Sequence, residues 1–407
     1  MKKLNSWLIA PQPRLGIFGL LTLLVVASLI TPLSLDMYTP AVPHMTDHFN
    51  TNASTVNLTL VGYYLFFSIG LLIFGPISDK HGRRPILIGG MAVYTVGSAL
   101  CAMATSIWAL IAFRVVEALG AGAVSSVSTA VVKDAFCAER REAVLSVVQV
   151  MFVIGPVLAP VVGAFIVRIA NWRITFWVLA VVGVVCLVLT VLFKETLPKD
   201  ARYQGSVLGS LCNLGVVAKN KGFISFLLII GMFNLPFMAY IAVASYVYID
   251  FFGLDEMGYS IYFAIAALLT AVGPFIWLVA QKFMNARRFT SIILTIAGLS
   301  GVAMLCVGQI SPTLFCVTFL LFAVMQACAR PYSTNILLSQ QDDDTGAASS
   351  LINFLHTAVG SLGMVIAVLP WANYVEGVGV IIVASMIIAG LGWFALLRSN
   401  APLKGVK

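Results

Sequence analysis

Few residues in this chain can do acid–base or charge-recognition chemistry, and those few sit among apolar neighbours. Asp36 lies in Leu33-Ser34-Leu35-Asp36-Met37-Tyr38-Thr39-Pro40, and Arg114 and Glu117 lie in Phe113-Arg114-Val115-Val116-Glu117-Ala118-Leu119-Gly120. An ionised side chain in hydrocarbon costs about 2.5–3.5 kcal/mol even on a lenient insertion scale. A carboxyl escapes that cost by binding a proton, and a nearby arginine or a cationic substrate favours its charged form again. This is the chemistry of exchanging protons for substrate. Arg114 and Glu117 are three residues apart and share a helix face. They form an intramembrane ion pair, or Glu117 is a second proton site; whether Asp36 and Glu117 titrate separately or as a coupled pair stays open. Asp36 has a plainer reading as an interfacial carboxylate, since Pro43 is only about 10 Å further along a helix.

Other residues invite recognition rather than proton transfer. Arg330, in Ala329-Arg330-Pro331-Tyr332, is a cation within an apolar run. It meets an anionic or zwitterionic substrate, pairs with a carboxyl, or snorkels to the interface. Asn234 and Tyr240 stand in a stretch rich in Met and Phe and are candidate polar anchors of a substrate cavity. His356 can titrate, although a lone histidine is more often a packing residue. Enzyme chemistry finds little support. No Ser-His-Asp constellation and no G-x-x-x-x-G-K-[ST] loop is present, and the seven cysteines form no C-x-x-C pair or His-Cys cluster. The expectation is a secondary active transporter with no metal and no cofactor other than protons as the coupling ion.

The elements that must position these residues follow from composition. The chain has 407 residues, 60% hydrophobic and 10% charged, with a mean hydropathy of +1.00. Soluble domains carry roughly 25% charged residues, so this is an integral membrane protein. A hydrocarbon core needs about 20 apolar helical residues. Uncharged runs split at Pro, Gly, Asn or Ser predict twelve spans: 15–43, 55–77, 85–105, 107–131, 143–167, 174–193, 222–250, 257–281, 288–309, 312–338, 346–370 and 377–398. Period-2 alternation is absent, so the spans are helices rather than barrel strands. The first span is too long for a cleaved signal peptide. With the N-terminus cytoplasmic, 20 of the 24 Lys and Arg residues fall in cytoplasmic segments. The net charge of +8 is therefore positive-inside bias and not a nucleic-acid footprint, and both termini face the cytoplasm. The run Asp342-Asp343-Asp344 reads as a solvated cytoplasmic loop.

The polar stretch 194–221 divides the chain into an N-terminal six-helix half (1–193) and a C-terminal one (222–407), and the pair Arg83-Arg84 recurs as Arg287-Arg288. Two pseudo-symmetric six-helix halves around a central loop resemble the major facilitator transporters, whose substrate cavity lies between the halves. The loop Gly75-Pro-Ile-Ser-Asp79-Lys80-His81-Gly82-Arg83-Arg84-Pro85 is similar to that family's loop signature. Gly75 lets helices approach, Gly82 permits a tight turn, and Asp79 can pair with a basic residue or a helix N-terminus. The fourth span resembles the family's motif with Arg114 in place, but Glu117 stands where the family usually has Gln. Gly155-Pro156-Val157-Leu158-Ala159-Pro160-Val161-Val162-Gly163 resembles the Gly-Pro motif of the antiporter branch. With Asn171-Trp172-Arg173, Glu195-Thr-Leu-Pro198 and the Asp-Met-Tyr-x-Pro-Ala-x-Pro ending of the first span, the chain is similar to drug:proton antiporters of the bicyclomycin/chloramphenicol-resistance subfamily. The resemblance implies a monomer in a bacterial cytoplasmic (inner) membrane that exports small antimicrobials or metabolites in exchange for protons. A dedicated metabolite carrier and, less favoured, a non-transporting receptor are the alternatives.

Overall fold

The computed structural model describes residues 7–206, 209, 215, 217–340 and 345–399. Both ends of the chain, with Lys2, Lys3, Lys404 and Lys407, much of the central loop, and the Asp342-Asp343-Asp344 run lie outside the described residues. Among the described residues twelve helices are long and apolar enough to cross a membrane: α1 Gly16–His48, α2 Ala53–His81, α3 Arg83–Ala102, α4 Ile107–Ala135, α5 Ala138–Ile169, α6 Trp172–Leu192, α7 Lys221–Phe251, α8 Glu256–Ala280, α9 Ala286–Val307, α10 Pro312–Leu338, α11 Thr345–Ala367 and α12 Tyr374–Arg398. Each coincides with an expected span. Several run longer, notably α2 and α5, because a helix continues into its charged flanks after the hydrocarbon ends.

Two helices are broken at positions that matter below. α1 is helical from Gly16 to Asp36, turns through a 3-10 segment at Thr39–Ala41, and resumes over Val42–His48. Pro40 and Pro43 lack the N–H groups that would continue the ladder and disfavour helical backbone at the residues before them. The freed Asp36 carbonyl accepts from Thr39 Oγ1 at 2.7 Å. α7 runs as Lys221–Gly231, Asn234–Ser245 and a π-helical turn Tyr246–Phe251. Here Pro236 cannot donate back to Met232, and the ladder lapses after Gly231.

Packing divides the chain into two compact units, Met1–Ala41 with Gly62–Leu211, and Val42–Val61 with Cys212–Lys407. Within the first, α1 packs on α5 and α3 packs on α4 and α6. Within the second, α7 packs on α11 and α9 packs on α10 and α12. α7 and α9 of the second unit thus repeat the partners of α1 and α3, six places earlier, the relation expected of a duplicated half. The repeat extends to single atoms. A Cβ on Gly163 of α5 would collide with the Met37 carbonyl, just past Asp36, and a Cβ on Gly363 of α11 would collide with the Leu235 carbonyl, just past Asn234. Gly155 meets the Pro32 ring in the same manner. Small residues let helix backbones touch where apolar solvent supplies no drive to associate.

The α2–α3 turn is tied to the segment that follows α6. Gly82 takes φ +104°, a backbone conformation open to glycine. Arg83 is buried and binds Asp79 Oδ1 at 2.6 Å, Asp134 Oδ2 at 2.7 Å and Ser78 Oγ at 2.7 Å. Glu195 caps α3, accepting from the backbone N–H groups of Arg83 (3.0 Å) and Arg84 (3.1 Å), where a carboxylate meets the positive end of the helix dipole. Tyr203 N–H donates to the Asp79 carbonyl. At the repeated position, Asn285 caps α9 through the Arg288 N–H, and among the described residues neither Arg287 nor Arg288 forms an ion pair.

Two predictions follow from this packing. Gly163→Val and Gly363→Val should each destabilise the protein by about 1–3 kcal/mol, the usual cost of overpacking, seen as a lower thermal midpoint in detergent; Gly390→Ala, which meets nothing within 4 Å, should be neutral or stabilising. Arg83→Lys, which keeps the charge but loses the fork, should cost about 1–3 kcal/mol. A double-mutant cycle with Asp134→Asn should then show coupling above about 0.5 kcal/mol.

Candidate functional site

The first unit buries its ionisable groups around α4. Arg114 and Glu117 are 0% exposed, and Asp36 at the α1 break is 4% exposed. Arg114 Nη1 donates to Glu117 Oε2 at 2.9 Å, so of the two readings of this pair the ion pair along one helix face is present. Glu117 also accepts from Ser98 Oγ at 3.1 Å and from Cys101 Sγ at 3.7 Å, both on α3. α3 reaches this close because Gly97 has no side chain; a Cβ there would stand 2.7 Å from the Glu117 backbone. The guanidinium lies over the rings of Tyr63 (4.2 Å) on α2 and Tyr38 (4.7 Å) on α1, a placement worth up to about 2 kcal/mol when desolvated. Its Nε and Nη2 have no hydrogen-bond partner, which fits donors held against π faces.

Asp36 is brought near this cluster through its chain neighbours rather than by contact. Tyr38, two residues on, carries the ring under Arg114, and Ser34, two residues back, hydrogen-bonds Tyr94 OH at 2.9 Å. Among the described residues Asp36 forms no ion pair, with Arg114 or with any other cation. Three ionisable groups, two acidic and one basic, thus occupy the dry interior of helices that cross hydrocarbon, and only two of them neutralise one another. Such an arrangement can change its charge by gaining or losing a proton with little else to screen the change.

The Gly-Pro motif of α5 lies against α1. Gly155 and Gly163 seat α5 on α1 on either side of Asp36, and Pro156 and Pro160 lie inside α5 between them. Of the loop-motif residues, Asp79, Gly82, Arg83 and Arg84 belong to the network at the α2–α3 turn, and Gly75 faces Ser126 of α4.

In the second unit Asn234, Gln326, Arg330 and His356 line one small recess with Ile230, Phe233 and Ala329. Gln326 Nε2 donates to Asn234 Oδ1 at 3.3 Å. Tyr240, the other expected cavity anchor, does not line this recess. Its ring stacks on Phe319 with centroids 3.5 Å apart and touches Phe263 and Phe315, because an aromatic ring gains most from burial among other rings. Sequence reasoning missed Ser98, Cys101, Tyr38 and Tyr63 around the ion pair, Asp134 beside Arg83, and Gln326. Spacing along one helix shows nothing of partners on another, but the small-residue positions Gly97, Gly120 and Gly122 marked where helices would meet.

The comparisons with known proteins agree with this architecture. Residues 24–364 match the family model of the Major Facilitator Superfamily. YdgK of Bacillus subtilis (strain 168), described as an uncharacterized MFS-type transporter, is 28% identical over 96% of this chain and 97% of its own length. A chloramphenicol resistance protein of Pseudomonas aeruginosa is 35% identical over 40% of this chain and 39% of its own. The multidrug resistance protein MdtL of Escherichia coli O81 (strain ED1a) is 32% identical over 42% of this chain and 44% of its own. The likeness to these two resistance proteins therefore extends over less than half of either chain. Among solved structures, the peptide transporter POT in complex with sulfate superposes with a TM-score of 0.76 at 16% identity, covering 97% of both chains. The D-xylose-proton symporter does so with a TM-score of 0.74 at 15% identity, covering 96% of this chain and 98% of its own; both likenesses concern the fold alone. A family match over most of the chain, twelve helices of membrane-spanning length and the repeated packing of two units make this chain a multi-pass membrane transporter, not an enzyme, and a member of the Major Facilitator Superfamily.

Proposed function

We propose that the protein is a proton-coupled antiporter that exports small amphipathic compounds, antimicrobials among them, by alternating access. The observation that carries this reading is the buried triad of Asp36, Arg114 and Glu117, in which one carboxylate is paired and the other is not. Asp36 is the carboxyl that takes up and releases the proton. Arg114 and Glu117 form a neutral pair whose cation rests against Tyr38, so that the charge state at the α1 break and the pair sense one another. Binding of a polar substrate favours release of the proton, and protonation from outside favours release of substrate.

The driving force suffices. One proton moving down a potential of about 100 mV yields about 2.3 kcal/mol, with about 1.4 kcal/mol more per pH unit. That sustains an outward substrate gradient of roughly tenfold to several hundredfold per proton. The distribution of Lys and Arg supports an orientation with both termini cytoplasmic, and the likeness to bacterial transporters supports a bacterial cytoplasmic membrane. A second reading, a carrier dedicated to one metabolite, is favoured by the limited span over which the two resistance proteins align.

The test is reconstitution of the purified protein in liposomes loaded with a pH-sensitive dye and exposed, without an imposed gradient, to chloramphenicol and to lipophilic cations. Substrate-dependent proton movement is expected in the native protein and a loss of at least tenfold in Asp36→Asn. If Asp36→Asn and Glu117→Gln both retained full proton-driven transport, the coupling assignment would be wrong; silence across the panel would favour the dedicated carrier. The pair makes a separate stability prediction. Arg114→Gln and Glu117→Gln each strand a buried charge and should cost about 3–5 kcal/mol, whereas the double variant should recover much of the loss, as read from thermal midpoints.

A further inference from the structure

The recess in the second unit has the wrong charge for the reading that proton coupling alone supplies. Its buried members are Asn234, Gln326 and His356, each 8% exposed, from α7, α10 and α11. Arg330 is exposed and stands at its mouth. Among the described residues no carboxylate lies within 4 Å of the Arg330 guanidinium. His356 Nε2 is buried and has no hydrogen-bond partner, which costs free energy unless something visits it. The two amides bond one another at 3.3 Å, a long contact that a better acceptor can replace. A cation without a counterion, an unpartnered ring nitrogen and two adaptable amides converge on one space.

The geometry points to recognition of a carboxylate on an aromatic or apolar organic anion by Arg330, His356, Asn234 and Gln326. This deepens the transport reading and rests on it, since it names the substrate class of the same carrier. The recess is small and carries a few polar groups, which suits one polar head group and leaves the apolar body of the ligand against its walls. Arginine's planar fork matches the two oxygens of a carboxylate. The walls supply the rest of the ligand: Phe233 lines the recess and stacks on Phe322. An apolar body against such rings, held by a few polar anchors, is the usual form of a small-molecule site. The broken segment of α7 begins at Asn234, and interrupted helices at corresponding places in two repeats mark binding sites in transporters.

The experiment compares three probes of one shape, 2-naphthoate, 2-naphthamide and 2-naphthylmethylammonium, by equilibrium binding to the purified full chain in detergent, followed by thermal shift and by ¹⁵N-histidine signals. The expected result is that naphthoate binds at least tenfold more tightly than the other two and perturbs the His356 resonance. Arg330→Gln should abolish that preference, while Arg330→Lys, which folds with the charge retained, should keep part of it. Equal binding of the three probes, no binding by any of them, or an unchanged naphthoate preference in Arg330→Gln overturns the assignment. The measurement uses no gradient and no turnover, so its outcome is separate from that of the antiport reading. An active antiporter without anion preference defeats only the recess; anion preference in a protein that moves no protons defeats only the coupling.

Discussion

A charge buried in hydrocarbon must bring its counterion and its hydrogen bonds with it, and most of the first unit is arranged around that requirement at Arg114 and Glu117. The carboxylate needs donors, and α3 offers Ser98 and Cys101, approaching because residue 97 is glycine. The cation needs an environment better than lipid for the donors that Glu117 does not use, and the rings of Tyr38 and Tyr63 supply it from α1 and α2. Removing any of these neighbours exposes a charge that has no alternative solvent. The packing of four helices is thus conditional on one ion pair.

The same logic explains why Asp36 sits where α1 stops being regular. A broken helix leaves backbone carbonyls and amides free near the break, and here the Thr39 hydroxyl donates to the freed Asp36 carbonyl. Proline placement makes the break, and glycine placement in α5 braces it from behind. The α2–α3 turn is a contrasting solution. There the charges lie near water, and their value is geometric: Arg83 joins three oxygen acceptors from α2 and α4, and Glu195 brings the segment after α6 to the start of α3.

Much of this was legible in the sequence. Twelve spans follow from runs of uncharged residues, because hydrocarbon thickness sets their length. The Arg114–Glu117 pair follows from helical spacing, and the loop signature marks the α2–α3 turn. What was not legible shares one cause. Ser98, Cys101 and Tyr63 reach the ion pair from other helices, so no local pattern announces them. Asp134 and Glu195 lie 51 and 112 residues from Arg83. Tyr240 and Asn234 are alike as polar residues on one apolar helix, yet one is packed among rings while the other opens onto a recess; helix rotation decides this, and α7 is broken just before Asn234. No local pattern announces the grouping of residues 42–61 with the second unit either.

Gly163 against Met37 and Gly363 against Leu235 are the same crossing made twice. A change of backbone contact at such a crossing must be matched across two helices at once, whereas a polar side chain beside it can be exchanged alone. The two copies have accordingly kept one carpentry and taken on opposite temperaments. Beside the first crossing stands an acid, Asp36; beside the second stands an amide, Asn234, in company with a base, Arg330. One kind of joint, made twice, thus stands beside two electrostatic signs within one polypeptide.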